Sequence, residues 1–334
     1  MRFHSKSFCN HKRKFRSRIR CQHEHKKEKF NLVKHRKNFF YRCFSTLYKN
    51  LQLTNQMRQS LHSHKNSVIQ CLNRAYTRER HAGRNCIIIG SLKRDTAINL
   101  NCDVDIIYLL PKHFEERLSI WSASEIVDNV AQTICSAGLA QHERIKIDTQ
   151  AIQIYFQDGL VVEVVPAIRC KDGSYNYPNP RGTEKQWWLP VRPQHDCDVF
   201  NKCVRNHGCI VKNTARMLRA WRETKHLPVK GVLIDSLIVD FFSENDKFSH
   251  ADFENYGDFF NSFFNYWITH QNQKHFIMGS TSYLTLDDDK VNRCVEETRA
   301  VIADSFNTNE EKYVNNWKQV FGHFFPAYKK VKTQ

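Results

Sequence analysis

No run in this 334-residue chain approaches the roughly 18 consecutive apolar residues of a membrane-spanning helix, and no secretory apolar segment precedes a cleavage site. Neither a membrane role nor export is expected, and the cytoplasm is. Cysteine is sparse too: 12 residues are too few for a disulfide-held scaffold, and reduced thiols are expected. Acids are almost missing from one end. The first fifty residues hold sixteen Lys and Arg against only Glu24 and Glu28, in a chain of net charge +17. The rest of the chain is therefore close to balanced, and the basic character belongs to a tail. Such a block repels itself, favours disorder and attracts nucleic acid or an acidic surface. Proline is scarce, and half of it (Pro178, Pro190 and two neighbours at 180 and 193) falls within 171–195, which reads as a linker or surface loop between lobes.

Apolar residues are plentiful, at 41 % with 23 Phe, enough to core one bilobal unit or two modest domains. Residues 1–45 read as unstructured or weakly helical. Leu61, Val68 and Leu72 recur at helical spacing between 51 and 76. Short apolar runs predict strands at 86–89, 105–110, 145–148, 151–156 and 160–165, with Asp158-Gly159 turning the last two. Ser124 is placed to cap a helix through Ala137, which Gly138 stops. Beyond 195 the pattern is helical: 198–222, 231–243, 252–271, 289–306 and 308–321.

Chemistry concentrates in IIIGSLKRDTAINLNCDVDIIYLL. An apolar run ends in Gly90-Ser91, eleven residues follow, and a second apolar run opens with Asp103-Val104-Asp105. On a strand, an i, i+2 spacing puts both carboxylates on one face. Side by side they repel unless a proton or a cation separates them. Hard divalent ions such as Mg²⁺ take oxygen ligands of this kind together with substrate phosphates. Gly90-Ser91 can lay backbone N–H groups and a hydroxyl against a phosphate. A third acid, Glu163, stands alone inside the apolar strand LVVEVVP and needs a partner. An Asp-x-Asp pair at a strand start also arises as turn chemistry, and a core arginine would satisfy Glu163. The Gly-Ser turn, the paired acids and the third acid together favour a metal site.

Two other features are weaker. Trp187, Trp188 and Tyr283 are aromatic surfaces on which a nucleobase would stack, although aromatics in a Phe-rich chain more often fill a core. His195, Cys197, Cys203, His207 and Cys209 crowd together, with Cys203 and His207 one helical turn apart. Their spacings match no standard zinc finger, and buried cysteines behave as small hydrophobes, so no structural zinc is expected.

GSLKRDTAINLNCDVDIIYLL resembles the signature of nucleotidyltransferases of the DNA polymerase β superfamily. VVEVVPAI is similar to its third-carboxylate strand. NTARMLRAWRE, KGVLIDSLIVDFF and NNWKQVFGHFFP resemble later segments of the bacterial cGAS/DncV-like enzymes (CD-NTases, of SMODS type). The resemblance covers roughly residues 51–327. It implies an α+β fold: a polymerase β-like palm lobe with a mixed β-sheet, a C-terminal helical lobe, and an active site in the cleft between them. The implied layout is a basic, disordered tail over 1–50, a catalytic lobe over 51–190 and a helical lobe over 191–334. Asp103, Asp105 and Glu163 would hold two Mg²⁺ ions, which Mn²⁺ can replace, and carry out nucleotidyl transfer. Gly90, Ser91, Arg219 and Ser236 would hold the triphosphate. Arg219 stands where Lys is commoner, and Asp95 where Gly is. The implied function is a cyclic oligonucleotide synthase. It would join ATP, GTP or UTP into a cyclic di- or trinucleotide for antiphage signalling, and a separate effector would bind the product. Two rivals stand beside it: a linear oligonucleotide or RNA-end nucleotidyltransferase recruited by the basic tail, and a catalytically silent nucleic-acid-binding sensor, which three intact acids argue against.

Overall fold

The computed structural model describes residues 31–329, apart from 32, 78–84, 101, 113, 115–120, 140–143, 183–187 and 281–282. A first helix, α1, spans 33–50. It is followed by α2 (Asn55–Tyr76), whose first turn is closed by the Thr54 hydroxyl accepting from Met57 N–H. Its apolar stripe, Leu61, Val68, Ile69 and Leu72, is buried against the sheet, as the spacing predicts.

The sheet is mixed. Strands β1 (Cys86–Ile88), β2 (Asp103–Leu109), β3 (Ile145–Asp148), β4 (Ala151–Tyr155) and β5 (Val161–Arg169) lie in the order β1-β2-β5-β4-β3. Among the described residues, only β2 and β5 run parallel to each other. The short helix α3 (Gly90–Lys93) follows β1, and α4 (Ala123–Ser136) packs behind the sheet. α4 starts at Ala123, two residues earlier than a Ser124 cap would allow. Ser122, not Ser124, is the cap, because Glu125 lies three residues on and closes a capping box with it.

Residues 171–195 are not simply a linker. β6 (Tyr175–Pro178) pairs with the end of β5, and β7 (Trp188–Val191) pairs with β6. Pro166 marks the exchange of neighbours along β5. It lies past the last β4 pair, Ile152 with Val164, and before the first β6 pair, Ile168 with Asn176, so its missing N–H costs no ladder bond on that side.

The helical lobe holds α5 (Pro193–His207), α6 (Ile210–Thr224), α7 (Gly231–Glu244), α8 (Tyr256–Thr269), α9 (Asp289–Ser305) and α10 (Glu310–Phe321). The single helix expected over 198–222 is two. Gly208 breaks it at φ 85°, and a side chain there would strike the His250 ring at 2.7 Å. A hairpin of β8 (Lys274–Phe276) and β9 (Tyr283–Thr285), which the sequence pattern did not announce, joins α8 to α9.

Two apolar clusters result, one under the sheet and one inside the helices around Trp221, Trp267 and Trp317. α1 belongs to the second. Phe39, Cys43, Phe44 and Leu47 are buried there, and Phe44 meets Trp317 edge-on at 4.8 Å. The expected disordered tail over 1–50 is corrected accordingly for 33–50: an apolar stripe hidden among the lysines and arginines anchors that stretch. Residues 1–30 lie outside the described residues.

Candidate active site

Parallel pairing of β2 and β5 sets Asp105 directly opposite Glu163, and Asp103 one pair of residues earlier on the same face. Val104, Ile106 and Tyr108 point the other way, into the core. The three carboxylates face one cleft of about 1310 Å³ between the sheet and the helical lobe. Burial, then Glu163 and Asp103, push Asp105 up to about 7, while Arg94 and Arg219 oppose the rise. Asp103 touches solvent but is crowded by protein. Desolvation and then Glu163 raise it to about 6, against Arg222.

A cation fits this donor set: three hard oxygen ligands strain against each other at neutral pH, and a divalent ion relieves that strain. Among the described residues no three His, Cys, Asp or Glu side chains have closed to metal-holding distance. Glu163 is oriented from behind. Gln153 on β4 donates to it at 3.1 Å, and Tyr155 donates to Gln153 at 2.9 Å.

Gly90 comes within touching distance of the acids. Its φ is 69°, and a side chain there would fall 1.8 Å from Asp105 Oδ2. The turn after it is fixed by Ile89 N–H to Asp105 O and Thr96 N–H to Ser91 O, at 2.9 and 2.8 Å. Asp95 takes a left-handed φ of 57°, which is why glycine would suit that place. Asp tolerates this conformation, and its carboxylate is held by Arg216 at 2.6 Å.

The expected triphosphate residues divide. Gly90, Ser91 and Arg219 line the cleft. Arg219 is not a free fork, however: both its terminal nitrogens bond Asp235, at 2.7 and 2.8 Å. Ser236 faces away. Its hydroxyl donates to Val232 O and accepts from Met278 N–H, so it braces the hairpin instead of reaching phosphate. The cleft instead receives Lys230 and Gly231, at the α7 N-terminus, and Arg222. The first N–H groups of a helix and nearby cations are a ready phosphate seat. Sequence reasoning passed over these, and over Arg94 and Asp235, although KGVLIDS carried the signal in the Lys-Gly opening of a helix.

Of the aromatic candidates, Trp188 packs against the palm core and Tyr283 stands half exposed under Lys274, 4.4 Å from its ring. Neither lines the cleft; Tyr177 does, and Trp187 lies outside the described residues. In the Cys/His group, His195 lines the cleft, Cys197 and Cys203 are buried, Cys209 is exposed, and the His207 ring bonds the Ser249 hydroxyl at 2.8 Å. No described helix is long and apolar enough to cross a membrane.

Residues 40–203 match the Second Messenger Oligonucleotide or Dinucleotide Synthetase domain. Among solved structures, Escherichia coli MS115-1 CdnC in complex with HORMA is 14 % identical, with a TM-score of 0.65 over 86 % of this chain and 98 % of that one. Vibrio cholerae DncV, a cyclic AMP-GMP synthase bound to a linear intermediate, is 14 % identical, with a TM-score of 0.58 over 91 % of each chain. Rhodothermus marinus CdnE, a c-UMP-AMP synthase with two nucleotide analogues, is 13 % identical, with a TM-score of 0.54 over 79 % and 97 %. These likenesses establish the polymerase β-like α+β fold. No protein of curated function matches the sequence.

Proposed function

We propose that this chain, which carries a second-messenger oligonucleotide or dinucleotide synthetase domain over residues 40–203, joins nucleoside triphosphates into a cyclic di- or trinucleotide. One observation carries the reading: Asp103, Asp105 and Glu163 face a single cleft, with the backbone of Gly90 pressed against Asp105. The same three carboxylates would hold two Mg²⁺ ions, or Mn²⁺ in their place. Bound there, such ions would make the attacking ribose hydroxyl more acidic and offset charge on the α-phosphate and the departing pyrophosphate.

The protein's own groups do the rest. Gly90 N–H, the Ser91 hydroxyl, Lys230 and the α7 N-terminus seat the triphosphate. Glu163, steadied by Gln153, would take the proton of the attacking hydroxyl. A cleft of about 1310 Å³ exceeds the roughly 300–1,000 Å³ of ordinary single-ligand sites, so it has room for two nucleotides at once, as ring closure requires. The product would act as a signal in antiphage defence, read by a separate effector.

The test is mass spectrometry of products formed from all four NTPs with Mg²⁺, and with Mn²⁺ in parallel. A phosphatase-resistant product is expected, and none from Asp103→Asn with Asp105→Asn. Phosphatase-sensitive ladders would make the enzyme a linear polymerase. Normal turnover by the double variant would end the metal-dependent reading.

A further inference from the structure

The two arginines that act on Asp105 are both held by other carboxylates. Asp235, fully buried on α7, accepts from Arg219 at 2.7 and 2.8 Å and from Arg94 Nε at 2.9 Å. Arg94 gives a further bond of 2.6 Å to Asp196. One carboxylate thus ties the turn after Gly90 to two helices of the other lobe.

The seat of Arg219 is shaped for it. Gly231 has an ordinary backbone, so conformation does not demand glycine there. A side chain at 231 would lie only 3.1 Å from Arg219 Nη2, and the Gly231 carbonyl accepts from that nitrogen at 3.4 Å. Both arginines line the cleft that contains Asp103, Asp105 and Glu163. A guanidinium is a strong bidentate partner for carboxylates. Released from Asp235, either arginine would have three acids within the same cleft to pair with, at the places a divalent cation must occupy.

We propose that Asp235 is a positioning residue that sequesters Arg94 and Arg219 and so keeps the three cleft carboxylates open to divalent cations. The inference rests on the metal-dependent reading above, and the two can fail separately. Loss of bracing alone would persist when the released arginines are also removed, so recovery on their removal separates sequestration from bracing.

The measurement is the Mn²⁺ dissociation constant of the chelator-treated full chain. It is read from loss of the free-ion paramagnetic resonance signal, with circular dichroism confirming the fold. Asp235→Asn is expected to weaken Mn²⁺ binding about tenfold or more, the scale on which a close opposite charge alters a carboxylate. Asp196→Asn removes the same charge but leaves Arg94 on Asp235, and should stay within about twofold of wild type. Adding Arg94→Gln and Arg219→Gln to Asp235→Asn should recover most of the loss.

A folded Asp235→Asn protein within about twofold of wild type overturns the proposal, and so does an equal loss in Asp196→Asn. Asp235→Asn leaves two buried cations without their partner, a change that can prevent folding. In that case Gly231→Val carries the test. It keeps every charge but drives a branched side chain into the seat of Arg219, where the Cβ alone would lie 3.1 Å from Nη2, and a loss of about threefold or more is expected, with none overturning the proposal. Wild-type protein that takes up no Mn²⁺ would instead remove the metal-dependent reading itself.

Discussion

At the scale of single residues, the cleft is governed by contact between Gly90 and Asp105. Gly90→Ala must both strain a φ of 69° and push a methyl into a carboxylate oxygen 1.8 Å away. Turnover is expected to fall by about three orders of magnitude or more, equivalent to some 4 kcal/mol, with little change in far-ultraviolet circular dichroism. Retention of a tenth of the activity would show that the turn does not touch the acids. The same carboxylates make metal-free stability depend on pH. Their folded pKa values, about 6 for Asp103 and about 7 for Asp105, lie above the ordinary 3.8. Between about pH 4 and 7 the folded state therefore binds more protons than the unfolded chain, and stability falls as pH rises. Bound Mg²⁺ favours the ionised acids, so the rise in melting temperature on adding Mg²⁺ should be larger at pH 8 than at pH 5. Thermal melts with Mg²⁺ and with chelator measure that difference, and it should vanish in Asp103→Asn with Asp105→Asn. The acids were legible in sequence because strand alternation is local: an i, i+2 pair shares a face whatever packs on it. Ser236 was misread because helix direction is not local. It lies five residues past Gly231, about 140° around the helix, so once Gly231 opens on the cleft Ser236 faces the hairpin.

Secondary elements were readable where their apolar period was long and obscure where neighbours decided them. α2 and β5 carried their patterns openly. β6 and β7 are four residues each, hold Pro178 and Pro190, and exist because β5 offers an edge after Pro166. The β8–β9 hairpin is shorter still, and tertiary contacts seat it: Met278 N–H on Ser236, and Gly279, where a side chain would meet the backbone of Asp196 at 2.5 Å. α1 was hidden by its charge, since lysines and arginines outweigh its buried stripe in any composition count. Its place in the core makes a direct claim. Phe44 is fully buried and contacts Trp317, Phe260 and Phe325. Phe44→Ala should cost about 3–5 kcal/mol of stability, read from urea unfolding, although the residue belongs to the basic segment. A loss under about 1 kcal/mol would mean that α1 is detachable from the helical lobe.

At the scale of the whole molecule, the chain separates a nearly neutral catalytic body from a strongly basic N-terminus, and the boundary between them can be located. Residues 1–30 hold eleven Lys and Arg against two acids. Over 33–50, by contrast, cations are partly engaged with the body: Lys37 pairs with Glu254 at 3.0 Å, and Arg36 donates to Phe306 O. Removal of 1–30 should therefore leave melting temperature and nucleotide turnover unchanged, because no described core residue is lost. Removal of 1–50 strips Phe39, Phe44 and Leu47 from the helical core and should yield insoluble or unfolded protein. Electrostatics gives the shorter truncation a second readout. Each phosphate neutralised contributes about −0.9 to the slope of log affinity against log salt on duplex DNA. If the basic segment binds nucleic acid, deleting 1–30 flattens that slope by several units in fluorescence anisotropy across a salt series. An unchanged slope would assign any nucleic-acid affinity to the body.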